Sequence, residues 1–126
     1  MSVRVDLDQL ADRLAEFAFA YLVSVSDDFR AHTVFVEPIL RDGRLSLGTV
    51  GRHTRENTAA HPDVTIVWPP RDPGGYSLIM DGHAHLSGDS LTVEPTRAVL
   101  HRRATAESLA CDPAGLHDCV PLEGQR

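Results

Sequence analysis

The sequence predicts a mainly β protein, a small closed or partly open barrel of roughly six antiparallel strands. One helix is expected at the N-terminus and one short helix after the third strand. Three observations lead there. Apolar residues alternate with period two in runs spaced by roughly ten residues, as the strands of one curled sheet do. Turn signals separate those runs: Asp27-Asp28, Asp42-Gly43 and Ser87-Gly88-Asp89-Ser90. Helix-like stretches occur in only two places, at the start of the chain and after Gly51. With 126 residues the chain is read as one domain, 1–126, with an irregular tail over 104–126.

Taken in order, residues 6–18 read as an amphipathic helix. Leu7, Leu10, Ala11, Leu14 and Ala18 recur at helical spacing, and Asp8, Asp12, Arg13 and Glu16 mostly face away. Asp6 followed by Gln9 resembles a capping box. From Tyr21 the period becomes two, and Asp27-Asp28 closes the first strand. Ala31 to Leu40 forms the second, with Val34 and Val36 on one face, Thr33 and Phe35 on the other, and Pro38 marking an edge or bulge. Asp42-Gly43 turns the chain into a third strand in which Leu45, Leu47 and Thr49 alternate with Ser46, Gly48 and Val50. A short polar helix follows, stopped at His61-Pro62 because proline disfavours helical geometry in the residue before it. Val64, Ile66 and Trp68 resume a strand, and Trp68 is read as a plug at one end of the barrel. The run PPRDPGG, 69–75, is an exposed loop. Tyr76 to Leu86 alternates throughout. Leu91 to His101 is read as a bent strand despite Pro95, because Thr92, Val93, Thr96 and Val99 favour extended backbone.

Composition narrows the function. Hydrophobic residues make up 42% and charged residues 24%, which places the chain among globular proteins. A net charge of −6 argues against a nucleic-acid partner held through phosphates. All 12 basic residues are arginine, so a Walker-type phosphate loop and a lysine Schiff base are excluded. No apolar run reaches membrane-spanning length and no signal-peptide core opens the chain, so the expected compartment is the cytoplasm, with no membrane partner. In that compartment Cys111 and Cys119 are expected as free thiols. His83 and His85 project from one face of a strand, but no third ligand stands nearby, so no metal site is assigned.

The informative stretch is Gly43 to Trp68. A strand delivers the chain at Gly51 into Arg52, His53, Thr54, Arg55 and Asn57, a cluster of donors at a helix N-terminus. Arginine forks bidentately onto anions, and Thr49 and Thr54 add hydroxyls. An ordinary solvated turn bearing surface arginines is the competing reading.

In the order of its elements and in this motif, the chain resembles the split-barrel flavin-binding superfamily. That group comprises the pyridoxamine 5′-phosphate oxidases and the related deazaflavin-dependent oxidoreductases. The resemblance runs from about Leu7 to His101 and has three anchors: RAHTVFV at 30–36, TVGRHTREN at 49–57 leading to His61-Pro62-Asp63-Val64, and YSLIMDGHA at 76–84. It implies that the chain is a flavin- or deazaflavin-dependent oxidoreductase, binding FMN or coenzyme F-420 in the cleft of a homodimer and acting on a small-molecule substrate. It further implies that His32 and Val34 lie along the ring of the cofactor and that Thr49 and Arg52 contact its phosphate. Thr54 stands where many members place a phosphate-binding lysine, and Arg55 compensates if it turns inward. Asn57 is expected to fix the backbone of the turn. The alternative reading is a non-catalytic cofactor-binding or haem-binding split barrel. Haem ranks below the flavins because no histidine stands in a diagnostic motif. An acidic, lysine-free chain also offers few cations to the long anionic tail of a deazaflavin.

Overall fold

The computed structural model describes residues 2–103; the expected irregular tail and both cysteines lie outside them. In chain order the elements are β1 (Ser2–Val5), a 3-10 turn (Leu7–Gln9), α1 (Leu10–Leu14), β2 (Ala20–Val25), β3 (Ala31–Val36), β4 (Ile39–Arg41), β5 (Arg44–Thr49), α2 (Arg52–Ala60), β6 (Asp63–Trp68), β7 (Ser77–Ser87) and β8 (Ser90–His101). The strands form one antiparallel sheet in the order β3-β2-β6-β7-β8-β5-β4, with β1 added to β8. This curled sheet is a split barrel, as expected. Among the described residues no helix is long and apolar enough to cross a membrane.

Two long strands organise the sheet. In β7, Leu78, Met80, Gly82 and Ala84 are buried and their odd-numbered neighbours are not, which is the alternation read from the sequence. β8 pairs along its length with β7; its other edge takes β5 at Ser90–Val93 and β1 at Ala98–His101. The change of partner coincides with a bulge. Asp81 pairs with Arg97 and Gly82 with Pro95, so Thr96 is the extra residue. Its hydroxyl donates to the Asp81 carbonyl at 3.1 Å. Pro95 has no N–H to give to a ladder, so the irregularity sits where the ladder is weakest. The core fills the inside of the curl with Leu22, Leu45, Ile66, Leu78, Met80, Leu91, Val93 and Leu100, and Trp68 is buried with them.

Several expectations are corrected. The N-terminal helix over 6–18 shortens to the 3-10 turn and α1, because Glu16 and Phe17 donate to carbonyls three residues back, at 3.0 and 3.1 Å, and tighten the last turn. Asp6 makes no side-chain cap; its carbonyl accepts from the Gln9 N–H at 2.9 Å. Arg13 does not face away: it is 3% exposed, with Glu16 at 3.6 Å. The single strand expected from Ala31 to Leu40 is two, β3 and β4, parted by Glu37-Pro38. With β1 also unforeseen, the strand count rises and α2 follows the fifth strand instead of the third. The Asp42-Gly43 hairpin is present, both residues at positive φ (51° and 77°), the pairing a tight two-residue turn requires.

Gly82 is the position with no tolerance. A Cβ there would lie 2.5 Å from Val93 Cγ1 and 2.8 Å from the Glu94 carbonyl oxygen, and the backbone oxygen cannot rotate away. Gly82→Ala is therefore expected to cost about 1–3 kcal/mol, from overpacking at a strand junction. Urea unfolding with an unchanged midpoint would show that β7 and β8 do not meet so closely.

Candidate functional site

The two ends of the sheet, β3 and β4, are not paired with each other, and a cleft opens along the seam between β3 and the β5–α2 turn. Its volume is about 390 Å³. One wall is the inner face of β3, where His32, Val34 and Val36 point the same way; the other is the end of β5, with Leu47 and Thr49. The first turn of α2 supplies Arg52, His53 and Thr54, and Glu37 stands at the rim.

The turn between β5 and α2 is built from three local features. A bulge at Leu47, with Gly48 at φ 68°, shifts the β5–β8 register between Ser46 and Gly48. Val50 then ties the chain to the β7–β8 hairpin, its N–H donating to Asp89 O at 2.9 Å. Gly51 precedes α2 in extended geometry and, lacking a side chain, caps nothing; the first turn of the helix has no side-chain acceptor at its cap position. Uncapped N–H groups and the helix dipole together favour an anion at this point.

Of the residues expected at a cofactor site, His32, Val34, Thr49, Arg52 and Thr54 all line this one cleft. Arg52 is 71% exposed in its side chain, with Glu56 at 3.8 Å one turn along as its only ion-pair partner among the described residues. Thr54 is 1% exposed and forms part of the floor. Arg55 is not among the lining residues. Its Nη1 donates to the Val50 carbonyl, so it braces the strand end from which the helix departs. Asn57 acts differently from the expectation: it holds no turn backbone, but donates through Nδ2 to the buried Ser24 hydroxyl of β2 at 3.2 Å. With Thr58, whose hydroxyl donates to Thr54 O at 2.8 Å, it forms the buried face of α2. His53 was read from the sequence as part of the donor cluster but not assigned to the cofactor, and Leu47 and Glu37 were not expected at the site. The signal for His53 was its place between Arg52 and Thr54; Leu47 and Glu37 gave none beyond strand periodicity.

Chemically, the cleft joins an anion-favouring end to an apolar slot between Val34 and Leu47. Arg52, the Thr49 hydroxyl and the uncapped helix fit a phosphate, and the aliphatic walls fit a planar ring. His83 and His85 lie elsewhere, on β7, with ring centroids 5.1 Å apart, His83 beside Asp63 at 3.3 Å and His85 beside Glu94 at 3.9 Å. Among the described residues no group of three or more His, Cys, Asp or Glu side chains is placed to hold a metal ion.

No family model matches the chain. It is 46% identical to the uncharacterized protein Mb0449c of Mycobacterium bovis and, equally, to MT0457 of Mycobacterium tuberculosis, across 93% of this chain and 94% of each of theirs. Solved structures share the fold at lower identity. A pyridoxamine 5′-phosphate oxidase candidate from Listeria innocua superposes with a TM-score of 0.61 at 18% identity, over 75% of this chain and 96% of its own. The FAD binding protein from Mycobacterium smegmatis gives 0.60 at 17%, over 81% and 100%. An F-420 reductase gives 0.53 at 16%, over 74% and 93%, and HutZ, the haem storage protein from Vibrio cholerae, 0.53 at 12%, over 75% and 93%.

The Asn57–Ser24 bond carries a prediction. Each single change, Asn57→Ala or Ser24→Ala, leaves a buried polar group without its partner and is expected to cost about 1–3 kcal/mol. The double variant should cost less than the sum, with a coupling on the order of 1 kcal/mol in a thermal or urea double-mutant cycle. Strict additivity would show that the helix is not anchored there.

Proposed function

We propose that this chain, which belongs to one family with those two mycobacterial proteins and has the split-barrel fold of the pyridoxamine 5′-phosphate oxidase-like proteins, is a flavin- or deazaflavin-dependent oxidoreductase. FMN or coenzyme F-420 would bind in the seam cleft, and a small-molecule substrate would meet it there. The observation that carries this reading is the convergence of Arg52, Thr49 and the uncapped start of α2 on one end of a slot walled by Val34 and Leu47. The cofactor, when bound, supplies the hydride chemistry. The chain's residues have the tasks of position and environment. Arg52 and Thr49 hold the phosphate end; Val34, Val36 and Leu47 exclude water from the ring; His32 stands on the same wall.

Two copies are proposed to build the complete cleft. β3, whose inner face lines it, carries Phe35 on its outer face, and Phe35 pairs with Tyr21, Tyr21 with Val67, and Val67 with Ile79 in register across four strands. Phe19 stacks on Phe35 with centroids 5.6 Å apart. Phe35 is 57% exposed and Tyr21 38%, so this apolar row suits a second copy of the chain.

A second reading, a cofactor-binding protein without turnover, is favoured by Thr54. A neutral, buried hydroxyl stands where the resemblance implies a lysine, and it leaves Arg52 as the cation at the phosphate end. Colour separates the two: flavin or deazaflavin absorbance that bleaches on reduction and recovers with a substrate supports the enzyme, and bound colour without turnover supports the binder.

Arg52→Ala is expected to weaken FMN by roughly ten- to a hundred-fold, the loss of one charge-assisted contact, and to leave riboflavin nearly unchanged. Calorimetric titration of both ligands checks it; equal effects, or none, would return Arg52 to the solvent. For the dimer, sedimentation at micromolar concentration should give two chains per particle, and Phe35→Glu should shift it toward one. A wild-type monomer at that concentration would remove the shared cleft.

A further inference from the structure

Six histidines lie among the described residues, and four of them have polar partners. His61 meets Asp27 at 2.8 Å, His83 meets Asp63 at 3.3 Å, His85 meets Glu94 at 3.9 Å and His101 meets the Ser2 hydroxyl at 3.0 Å. The remaining two are His32 and His53. Among the described residues neither ring has a hydrogen-bond or ion-pair partner, and both line the seam cleft, one from β3 and one from α2. Their centroids are 5.9 Å apart, with planes tilted by 55°. His32 is half-buried and His53 exposed, so both rings present their nitrogens to whatever enters the cleft, side by side and next to Arg52.

From this pairing we infer that His32 and His53 form a second contact for the anionic group of the ligand, joining Arg52. The cleft then holds a phosphate-bearing ligand more tightly as the imidazoles take up protons. This rests on the reading of the cleft as a phosphate-bearing cofactor's site, and it adds two residues and a pH dependence to it. The geometry is supplied by two rigid elements. His32 lies on the inner face of β3, opposite Ser24, whose hydroxyl accepts from Asn57. His53 is the second residue of α2, one position from Arg52.

The charged groups around the pair are few. From the β3–β4 connection, Glu37 lines the cleft and opposes a second negative charge. From α2 come Arg52, which favours one, and Glu56, which is ion-paired with Arg52. Arg55 is turned to the Val50 carbonyl. β2 and β5 contribute only hydroxyls, from Ser24 and Thr49. Imidazole is the side chain whose charge changes between about pH 5 and pH 8. Protonated rings donate from both nitrogens, and a donor bearing charge binds an oxyanion about twice as strongly as a neutral one. The sign is therefore fixed: acid tightens binding, and by linkage the ligand draws protons onto the protein when it binds.

The test uses the full chain and FMN, or coenzyme F-420 where that is the ligand bound. Calorimetric titrations in two buffers of different ionisation enthalpy report proton uptake, and titrations at about pH 6 and pH 8 report the affinity slope. The wild type is expected to take up protons and to bind about five- to ten-fold more tightly at the acid end. His32→Gln/His53→Gln, which keeps polar side chains of similar size, should lose most of both effects and retain its melting temperature. Because the phosphate monoester of FMN itself titrates in this range, the difference between wild type and variant is the diagnostic quantity. Riboflavin should show no such difference. Binding that depends on Arg52 but has the same pH slope in wild type and double variant overturns this inference and leaves the phosphate-site reading standing. No binding of either cofactor at any pH overturns both.

Discussion

The contact on which this molecule depends is the close approach of β7 and β8 at Gly82. With hydrogen in place of a side chain, the β7 backbone sits directly against Val93 and the Glu94 carbonyl, at a distance that no Cβ could occupy. The bulge at that point bends β8 and raises its local twist, as bulges do. Below the bend β8 serves β5, and above it β8 serves β1. A straight β8 would extend a flat sheet; the bent one curls it, and the two ends of the curl, β3 and β4, are left facing each other unjoined.

The cleft is a consequence of that curl. β3 turns its inner face to the seam because Ala20, Leu22 and Ser24 on its neighbour β2 are drawn into the core, which sets the register of Val36, Val34 and His32 opposite them. β5 reaches the same seam through its bulge at Leu47, and α2 starts there because Val50 is held by Asp89. Core packing and the sheet ladder bring an arginine, two hydroxyls and two histidines to one opening, so the site is preformed on rigid elements.

Local order in the sequence reported local structure well. β7 was legible because Leu78, Met80, Gly82 and Ala84 alternate without interruption, and the hairpin at Asp42-Gly43 because that dipeptide accepts positive φ at both positions. The turn at 49–57 was legible as a cluster of donors, and five of the six expected site residues do share the cleft. The failures have one physical source, which is dependence on distant partners. Ser2–Val5 is too short to show a period, and becomes a strand because Ala98–His101 lies ready to pair with it. Arg13 looks like a surface residue in any helical projection, and is buried with Glu16 beside it. Arg55 looked like a ligand because it is an arginine in the motif, while its direction was decided by a carbonyl exposed at the end of β5. The juxtaposition of His32 and His53 appears only once β3 and the start of α2 are brought together.

The attachment of α2 has a thermodynamic character of its own. Its buried residues are Thr54, Asn57 and Thr58, with no large aliphatic side chain among them, and a single side-chain hydrogen bond, Asn57 to Ser24, ties it to β2. Releasing a helix held this way exposes polar surface, which contributes little or negative heat capacity, whereas opening the Leu and Val interior contributes strongly positive heat capacity. The two parts of the molecule therefore respond differently to temperature. Cooling weakens the apolar interior and leaves the polar seat of α2 comparatively untouched. The wall that carries Arg52 and His53 thus has a polar seat beside an apolar interior.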